Sequence, residues 1–255
     1  MSDRIEKKGE VDLGDQAIVG FAALPDGGMV ALSSSQRVLF LNADGTERLR
    51  VDGLDFSQAA APPVIGQAGI VYFAGLSIRY PGYVNVFALN PDGSTRWTYT
   101  DTNLVPGPAI SPDGSLLYIN RTKEKLYVLD AEHGAKRGEI SLPAQAPGLT
   151  TLPPTVGADG TIYVQTSGQE PDVKNTVANV FAIDPARLFV DNAPFRWHFV
   201  AQVNSILYPL DAQPVLTGDA IYLTGLKGRV FIALNQSDGQ LRFSLAAPGK
   251  ILAPP

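Results

Sequence analysis

Residues 62–100 read PPVIGQAGIVYFAGLSIRYPGYVNVFALNPDGSTRWTYT, and this stretch decides the fold. Val71-Tyr72-Phe73 and the run from Val84 to Leu89 are short apolar segments rich in β-branched and aromatic residues, too brief for an ordinary globular helix. A reversal follows at Asn90-Pro91-Asp92-Gly93, where Asn and Asp tolerate left-handed backbone and Gly takes positive φ at no steric cost. Arg96-Trp97-Thr98-Tyr99 then alternates polar and aromatic positions, as a strand with one covered face does. With its proline-led start, the stretch predicts four short antiparallel strands linked by hairpins.

The pattern recurs along the chain. A weaker copy precedes it, FAALPDGGMVAL with RVLFLNADGTERLRV. Three follow: PAISPDGSLLYI with KLYVLDAEHGAKRGEISL, PTVGADGTIYV with NVFAIDPARLFVDNAPFRWHF, and PVLTGDAIYL with VFIALNQSDGQLRFSL. The marker tyrosines Tyr72, Tyr118, Tyr163 and Tyr222 stand 46, 45 and 59 residues apart, which matches propeller blades with one long insertion in the fourth copy. One four-stranded sheet cannot bury both of its faces, and radial stacking of such sheets solves that problem. The expected fold class is therefore all-β, a β-propeller of four-stranded antiparallel blades forming a single domain over residues 1–255. Its approximate repeats are 14–57, 58–104, 105–146, 147–206 and 207–250. Residues 4–13 read as an outermost strand and 251–255 as the start of an innermost one, parts of an incomplete closing blade. About five complete repeats point to an incomplete or truncated ring, with a five-bladed ring as the alternative. An open array would expose an apolar face on its last copy and favour self-association.

The runs FALNPDGSTRW, ending at Trp97, and FAIDPARLFVDNAPFRW, ending at Trp197, resemble the PQQ-repeat, quinoprotein-like (BamB-like) propeller family. Its units look like an apolar-Tyr strand followed by A-L-[DN]-x-x-[TD]-G-x-x-x-W. The resemblance implies that each tryptophan docks on the neighbouring blade; Leu49, Gly138 and Phe243 stand at that position in the other copies. It also implies a protein-binding scaffold in a bacterial envelope assembly, and a periplasmic or extracellular location. Other propeller families, with NHL, YVTN or WD40-type repeats, share the blade length and the SPDG turn at Ser111 to Gly114. Quinone-dependent dehydrogenases of the family use calcium, adjacent cysteines and an Asp base in a chain about twice as long. This chain has no cysteine, so neither PQQ nor any other cofactor is expected, and a dehydrogenase fragment is the remotest reading.

Composition narrows the classes further. The 255 residues carry 25 glycines and 20 prolines, which suits many turns, and 45% apolar residues, enough for a large core. A net charge of −5 without a Lys/Arg run argues against nucleic acid, and the longest apolar stretches, such as Gly69 to Leu76, fall far short of the ~20 residues of a membrane helix. The start, MSDRIEKKGE, lacks the apolar core of a signal peptide.

Candidate chemistry is sparse, and no catalytic or metal residue is assigned. His133 in the turn DAEHGAK and His198 beside Trp197 lack a second histidine or paired carboxylate in sequence. The turn aspartates Asp26, Asp44, Asp92, Asp113, Asp159 and Asp238 lack the density of a calcium loop, leaving structural calcium a weak option. Trp97, Trp197, Tyr99, Tyr163 and Tyr222 recur at blade positions and read as inter-blade packing. Two loops stand out as binding candidates. One is the hairpin loop LSIRYPGYV with Arg79, Tyr80 and Tyr83; the other is the polar insertion SGQEPDVKNTVAN with Glu170, Asp172 and Lys174, read as a loop that breaks the repeat. The leading functional reading is a non-catalytic scaffold for a protein partner or ligand. The competing reading is a carbohydrate-active hydrolase or lyase, for which Asp184, Asp211 and Asp219 are nominal carboxylates.

Overall fold

The apolar runs form strands and the Asp-Gly segments reverse them. In a computed structural model the described residues are 17–246, excepting 35, 60, 106, 122–124, 144–147, 150–151, 170–175, 191–193, 204–205, 208–209, 211 and 226–228. They are all-β apart from two 3₁₀ turns at Gln67–Gly69 and Pro185–Arg187. The chain divides into two compact units, Met1–Ile110 with Glu132–Ala135, and Ser111–Ala131 with Lys136–Pro255.

The first unit holds two antiparallel sheets in sequence order. One is β1 (Ile18–Ala23), β2 (Met29–Ser33), β3 (Val38–Leu41) and β4 (Glu47–Val51). The other is β5 (Val64–Ile65), β6 (Val71–Leu76), β7 (Tyr83–Leu89) and β8 (Thr95–Thr102), followed by β9 (Ala109–Ile110). The second unit holds β10 (Leu116–Arg121), β11 (Lys125–Asp130) and β12 (Lys136–Ser141) of the third sheet. Its fourth sheet comprises β13 (Gly148–Leu149), β14 (Thr155–Val156), β15 (Ile162–Gln169), β16 (Thr176–Ile183) and β17 (Phe195–Val200). A small ladder, β18 (Gln202–Val203) with β19 (Ile206–Leu207), precedes the fifth sheet: β20 (Val215–Thr217), β21 (Ala220–Gly225), β22 (Val230–Asn235) and β23 (Leu241–Ala246). These are the blades of a β-propeller.

Apolar clusters lie between successive sheets. Val30, Leu32, Val38 and Phe40 of the first sheet pack on Phe73, Phe87 and Leu89 of the second. Tyr118 and Val128 pack on Ile162, Val164 and Phe181, and Tyr163, Val180 and Trp197 pack on Ile221, Leu223 and Ile232. Each fully buried Leu, Ile or Phe among them stabilises the fold by about 1.5–3 kcal/mol.

The docking position predicted from the family motif has a specific receptor, a positive-φ glycine in the turn between the third and fourth strands of the next sheet. A methyl group on Gly93 would stand 2.6 Å from Leu49, one on Gly134 2.6 Å from Trp97, and one on Gly239 2.5 Å from Trp197. Trp197 Nε1 also donates to the Gln236 carbonyl at 2.9 Å, and the tyrosines Tyr72 and Tyr163 each lie 5.8 Å from their own sheet's tryptophan. The third sheet inverts the arrangement. Gly138 occupies its docking position, and Phe189 reaches back from the fourth sheet's enlarged turn to within 3.0 Å of where a Gly138 methyl would be.

A second repeated device escaped the sequence reading. In all five sheets the ladder between third and fourth strands carries a bulge just before the docking residue, at Phe40/Leu41, Ala88/Leu89, Val128/Leu129, Ala182/Ile183 and Ala233/Leu234. The extra residue is arginine each time: Arg48, Arg96, Arg137, Arg196 and Arg242. A bulge bends the strand and re-aims the unpaired side chain, here toward carboxylates in turns or, for Asp130, at a strand end, in the pairs Arg48–Asp26, Arg96–Glu132, Arg137–Asp130, Arg196–Asp159 and Arg242–Asp219. Such exposed pairs contribute about 0–1 kcal/mol each, so they orient the turn more than they stabilise it.

The structure also corrects the reading of the fourth repeat. Residues 167–169 and 176–179 do not form a loop; they extend the β15–β16 ladder to the pair Gln169↔Thr176. The repeat is expanded twice, once there and once between Ile183 and Phe195, where Asp184 caps the 3₁₀ turn by accepting from the Ala186 amide at 3.1 Å.

Gly53 shares the left-handed backbone of Gly134 (φ +77° against +71°) but has open space around it. Gly53→Ala is expected to lose about 1–2 kcal/mol from backbone strain alone. Gly134→Ala is expected to lose about 1–3 kcal/mol more because Trp97 must move, read as the difference between urea unfolding free energies.

Candidate functional site

The hairpin loop between β6 and β7 is built by local rules and then fastened from outside. Tyr80-Pro81-Gly82-Tyr83 has the composition of a type II turn, Pro at the second position and a φ > 0 glycine at the third. Gly82 has φ +85°, and the Tyr83 amide donates to the Tyr80 carbonyl at 3.1 Å. That turn sets the Tyr80 and Tyr83 rings edge to face, with centroids 6.2 Å apart. Ile78, Tyr80 and Tyr83 are 47%, 60% and 41% exposed, and the Arg79 side chain is exposed beside them.

Asp55, in the connection from β4 to β5, holds this loop. Its carboxylate accepts from Ser77 Oγ at 2.7 Å, from the Ile78 and Arg79 amides at 2.9 and 3.0 Å, and from Asn85 Nδ2 at 2.9 Å. Asn85 Nδ2 also reaches the Asp55 carbonyl, and Thr100 Oγ1 donates to Asn85 Oδ1 at 2.7 Å. The next residue, Phe56, is fully buried against Phe73 and Phe87, with centroids 5.1 and 6.0 Å away. Gly75 leaves room for it, since a methyl there would meet Phe56 Cβ at 2.9 Å. The buried ring thus fixes where the carboxylate points. Burial pushes the Asp55 carboxyl up, but its four donors together outweigh that cost and hold it below the ordinary carboxylate value.

Of the residues singled out from the sequence, Arg79, Tyr80 and Tyr83 therefore share one exposed, internally bonded loop. Glu170, Asp172 and Lys174 lie outside the described residues. His198 stacks on Phe181 at 4.4 Å, meets Asn179 Oδ1 through Nε2 at 2.8 Å, and is pushed down in pKa by burial. His133 is an exposed turn residue. The turn aspartates accept from their own turns: Asp44 from Thr46, Asp92 from Ser94, Asp113 from Ser115, Asp159 from Thr161 and Asp238 from Gln240. Among the described residues no three His, Asp or Glu side chains are grouped to hold a metal. Asp184 and Asp219 are paired with Arg196 and Arg242, and Asp211 lies outside the described residues. The sequence has no cysteine to match the adjacent cysteines that the resemblance implies for quinone-dependent dehydrogenases.

Because the folded Asp55 value lies below its unfolded one, the clasp's contribution is complete above the ordinary carboxylate range and is lost as pH falls through the folded value. The Ile78 and Arg79 amide resonances are expected to stay constant from pH 7 to about 5 and to move only below about pH 4, near and beneath the ordinary Asp value. Asp55→Asn should remove that titration and speed hydrogen exchange at both amides about tenfold or more at pH 7, consistent with a loss of 1.4 kcal/mol or more of local protection.

Comparison with known proteins supplies the family. A family model described as outer membrane protein assembly factor BamB matches residues 8–185. No curated protein matches the sequence. Among solved structures, BamB from Moraxella catarrhalis is similar at 20% identity and TM-score 0.55, over 92% of this chain and 78% of that one. A protein of unknown function from Bacteroides caccae is similar at 11% identity and TM-score 0.57, over 91% and 82%. A quinohemoprotein alcohol dehydrogenase from Pseudomonas putida is similar at 16% identity and TM-score 0.55, over 78% of this chain but only 35% of its own length. These likenesses establish a shared fold, and with the matched model, the inter-sheet docking and the repeated blades they place the chain in the PQQ-repeat, BamB-like β-propeller family.

Proposed function

We propose that the chain is a non-catalytic propeller scaffold that binds a protein partner through the loop Ser77–Tyr83 of its second sheet. The observation that carries this reading is the combination of exposure and rigidity. Tyr and Arg supply the area and hydrogen bonding typical of interface hot spots, and a loop already held by Asp55 loses little entropy on binding. Membership of a family described as an outer membrane protein assembly factor supports an envelope setting, with the partner met on the periplasmic side. Among the described residues no helix is long and apolar enough to cross a membrane. In this reading the chain holds no quinone, and the Asp-Gly turns serve the fold.

A photo-crosslinking amino acid at position 80, tested against membrane and soluble envelope fractions of the source bacterium, is expected to capture one protein reproducibly. Arg79→Ala, Tyr80→Ala and Tyr83→Ala are each expected to weaken that partner's affinity about tenfold or more, with unchanged unfolding midpoints. A partner bound equally well by all three variants, or purified protein that turns over a sugar, lactone or alcohol, would overturn the proposal.

A further inference from the structure

The third sheet keeps the marker tyrosine of the repeat but not the indole that accompanies it. In the second and fourth sheets the cross-strand rows Tyr72–Ala88–Trp97 and Tyr163–Ala182–Trp197 bring the two rings of each row to 5.8 Å. The matching row of the third sheet is Tyr118–Val128–Gly138. Phe189 returns over Gly138 from the fourth sheet's enlarged turn, yet among the described residues no aromatic ring is in contact with that of Tyr118. A cleft of about 350 Å³ opens beside it, within the second unit, walled by Asp113, Leu116, Tyr118, Ala158, Asp159 and Pro185. That volume lies at the lower end of the range of about 300–1,000 Å³ for small-molecule sites and suits a compact ligand.

The walls combine an apolar slot with unspent polar groups. Leu116, Pro185 and the Tyr118 ring supply the apolar part. Tyr118 is 1% exposed, and its hydroxyl has no hydrogen-bond partner among the described residues, a state that costs free energy until something bonds to it. Burial, and then the charge of Asp113, push that hydroxyl up to about 12, so it remains protonated. The two charged walls are both carboxylates. Asp113 is held below the ordinary carboxylate value by Ser111 and Ser115. At Asp159 the bonds from Thr161 and Arg196 outweigh burial to the same effect, so both carry charge at neutral pH.

We propose that this cleft binds a small aromatic ligand carrying a cationic nitrogen. Its ring takes the place beside Tyr118 that an indole holds beside Tyr72 and Tyr163, where ring-on-ring contact adds to the apolar area buried. Its charge faces Asp113 and Asp159 in a cleft whose wall has no basic side chain among the described residues; Arg196 pairs with Asp159 from outside that wall. The Tyr118 hydroxyl gains the hydrogen-bond partner that the fold itself does not give it. None of the residues of the Ser77–Tyr83 loop takes part, so the two sites are tested separately.

Tryptamine, an indole with a protonated amine at neutral pH, is the probe. Titrated into the isotope-labelled full chain, it is expected to shift the Leu116, Ala158 and Gly160 amide resonances saturably, with a Kd of about 1 mM or tighter. Indole-3-propionate, the same ring with a carboxylate, is expected to bind at least about tenfold more weakly. Tyr118→Phe keeps the ring and removes the hydroxyl; it is expected to weaken tryptamine about threefold or more while leaving the unfolding midpoint unchanged or slightly raised, because the hydroxyl has no partner to lose. Ala158→Trp, at an exposed position on the rim, is expected to fill the cleft and abolish the shifts at Leu116 and Gly160. Shifts that do not saturate or that map to other residues would overturn the proposal. So would equal affinity for the propionate, or tryptamine binding unchanged in both variants.

Discussion

The structure depends on one constraint: a four-stranded sheet with two apolar faces must lean on a sibling, and the lean is keyed by a large side chain over a bare glycine. Trp97 on Gly134 and Trp197 on Gly239 show the key in full, Leu49 on Gly93 in reduced form. Glycine is required twice over at these turns, once because φ is positive and once because a neighbour occupies the space a side chain would take. The two changes in the third and fourth sheets make sense only together. Where the bulky residue is lost to Gly138, the next turn loses its glycine, lengthens, and returns Phe189 to the vacated place.

The bulged arginines belong to the same device. Placed one residue before each docking side chain, they let the fourth strand bend at the point where it meets the next sheet, and their carboxylate partners sit in the adjoining turns. The loop Ser77–Gly82 lies at the opposite end of the second sheet, where the second strand turns into the third. There the second sheet spends a buried phenylalanine and a four-donor carboxylate on holding an exposed loop in one shape. Phe56 also serves the core between the first two sheets, but three of the four donors to Asp55 belong to the exposed loop itself, which is why the loop reads as functional.

The features written locally were legible in the sequence. Tyr72, Tyr118 and Tyr163 marked the second strands, the Asp-Gly pairs marked reversals, and Trp97 and Trp197 marked the docking position, because each signal needs only a few neighbouring residues. The arginine preceding every docking position is equally local, but only the bulges of the folded ladders give it a role. Asp55 and Phe189 could not be read in advance: their partners lie 22 to 30 residues away in one case and 51 in the other, and no local pattern announces a contact at that separation. The insertion after Ser167 has the polar composition of a loop, whereas residues 167–169 and 176–179 continue the β15–β16 ladder.

The central claim is that bulky residue and glycine act as one unit between sheets. A double-mutant cycle on Trp197 and Gly239 tests it most directly, with Trp197→Leu, Gly239→Ala and the double variant compared by reversible urea unfolding. The account predicts a coupling of about 1–3 kcal/mol, with the alanine costing much less once the indole is gone. Additive losses, within about 0.3–0.5 kcal/mol, would contradict it.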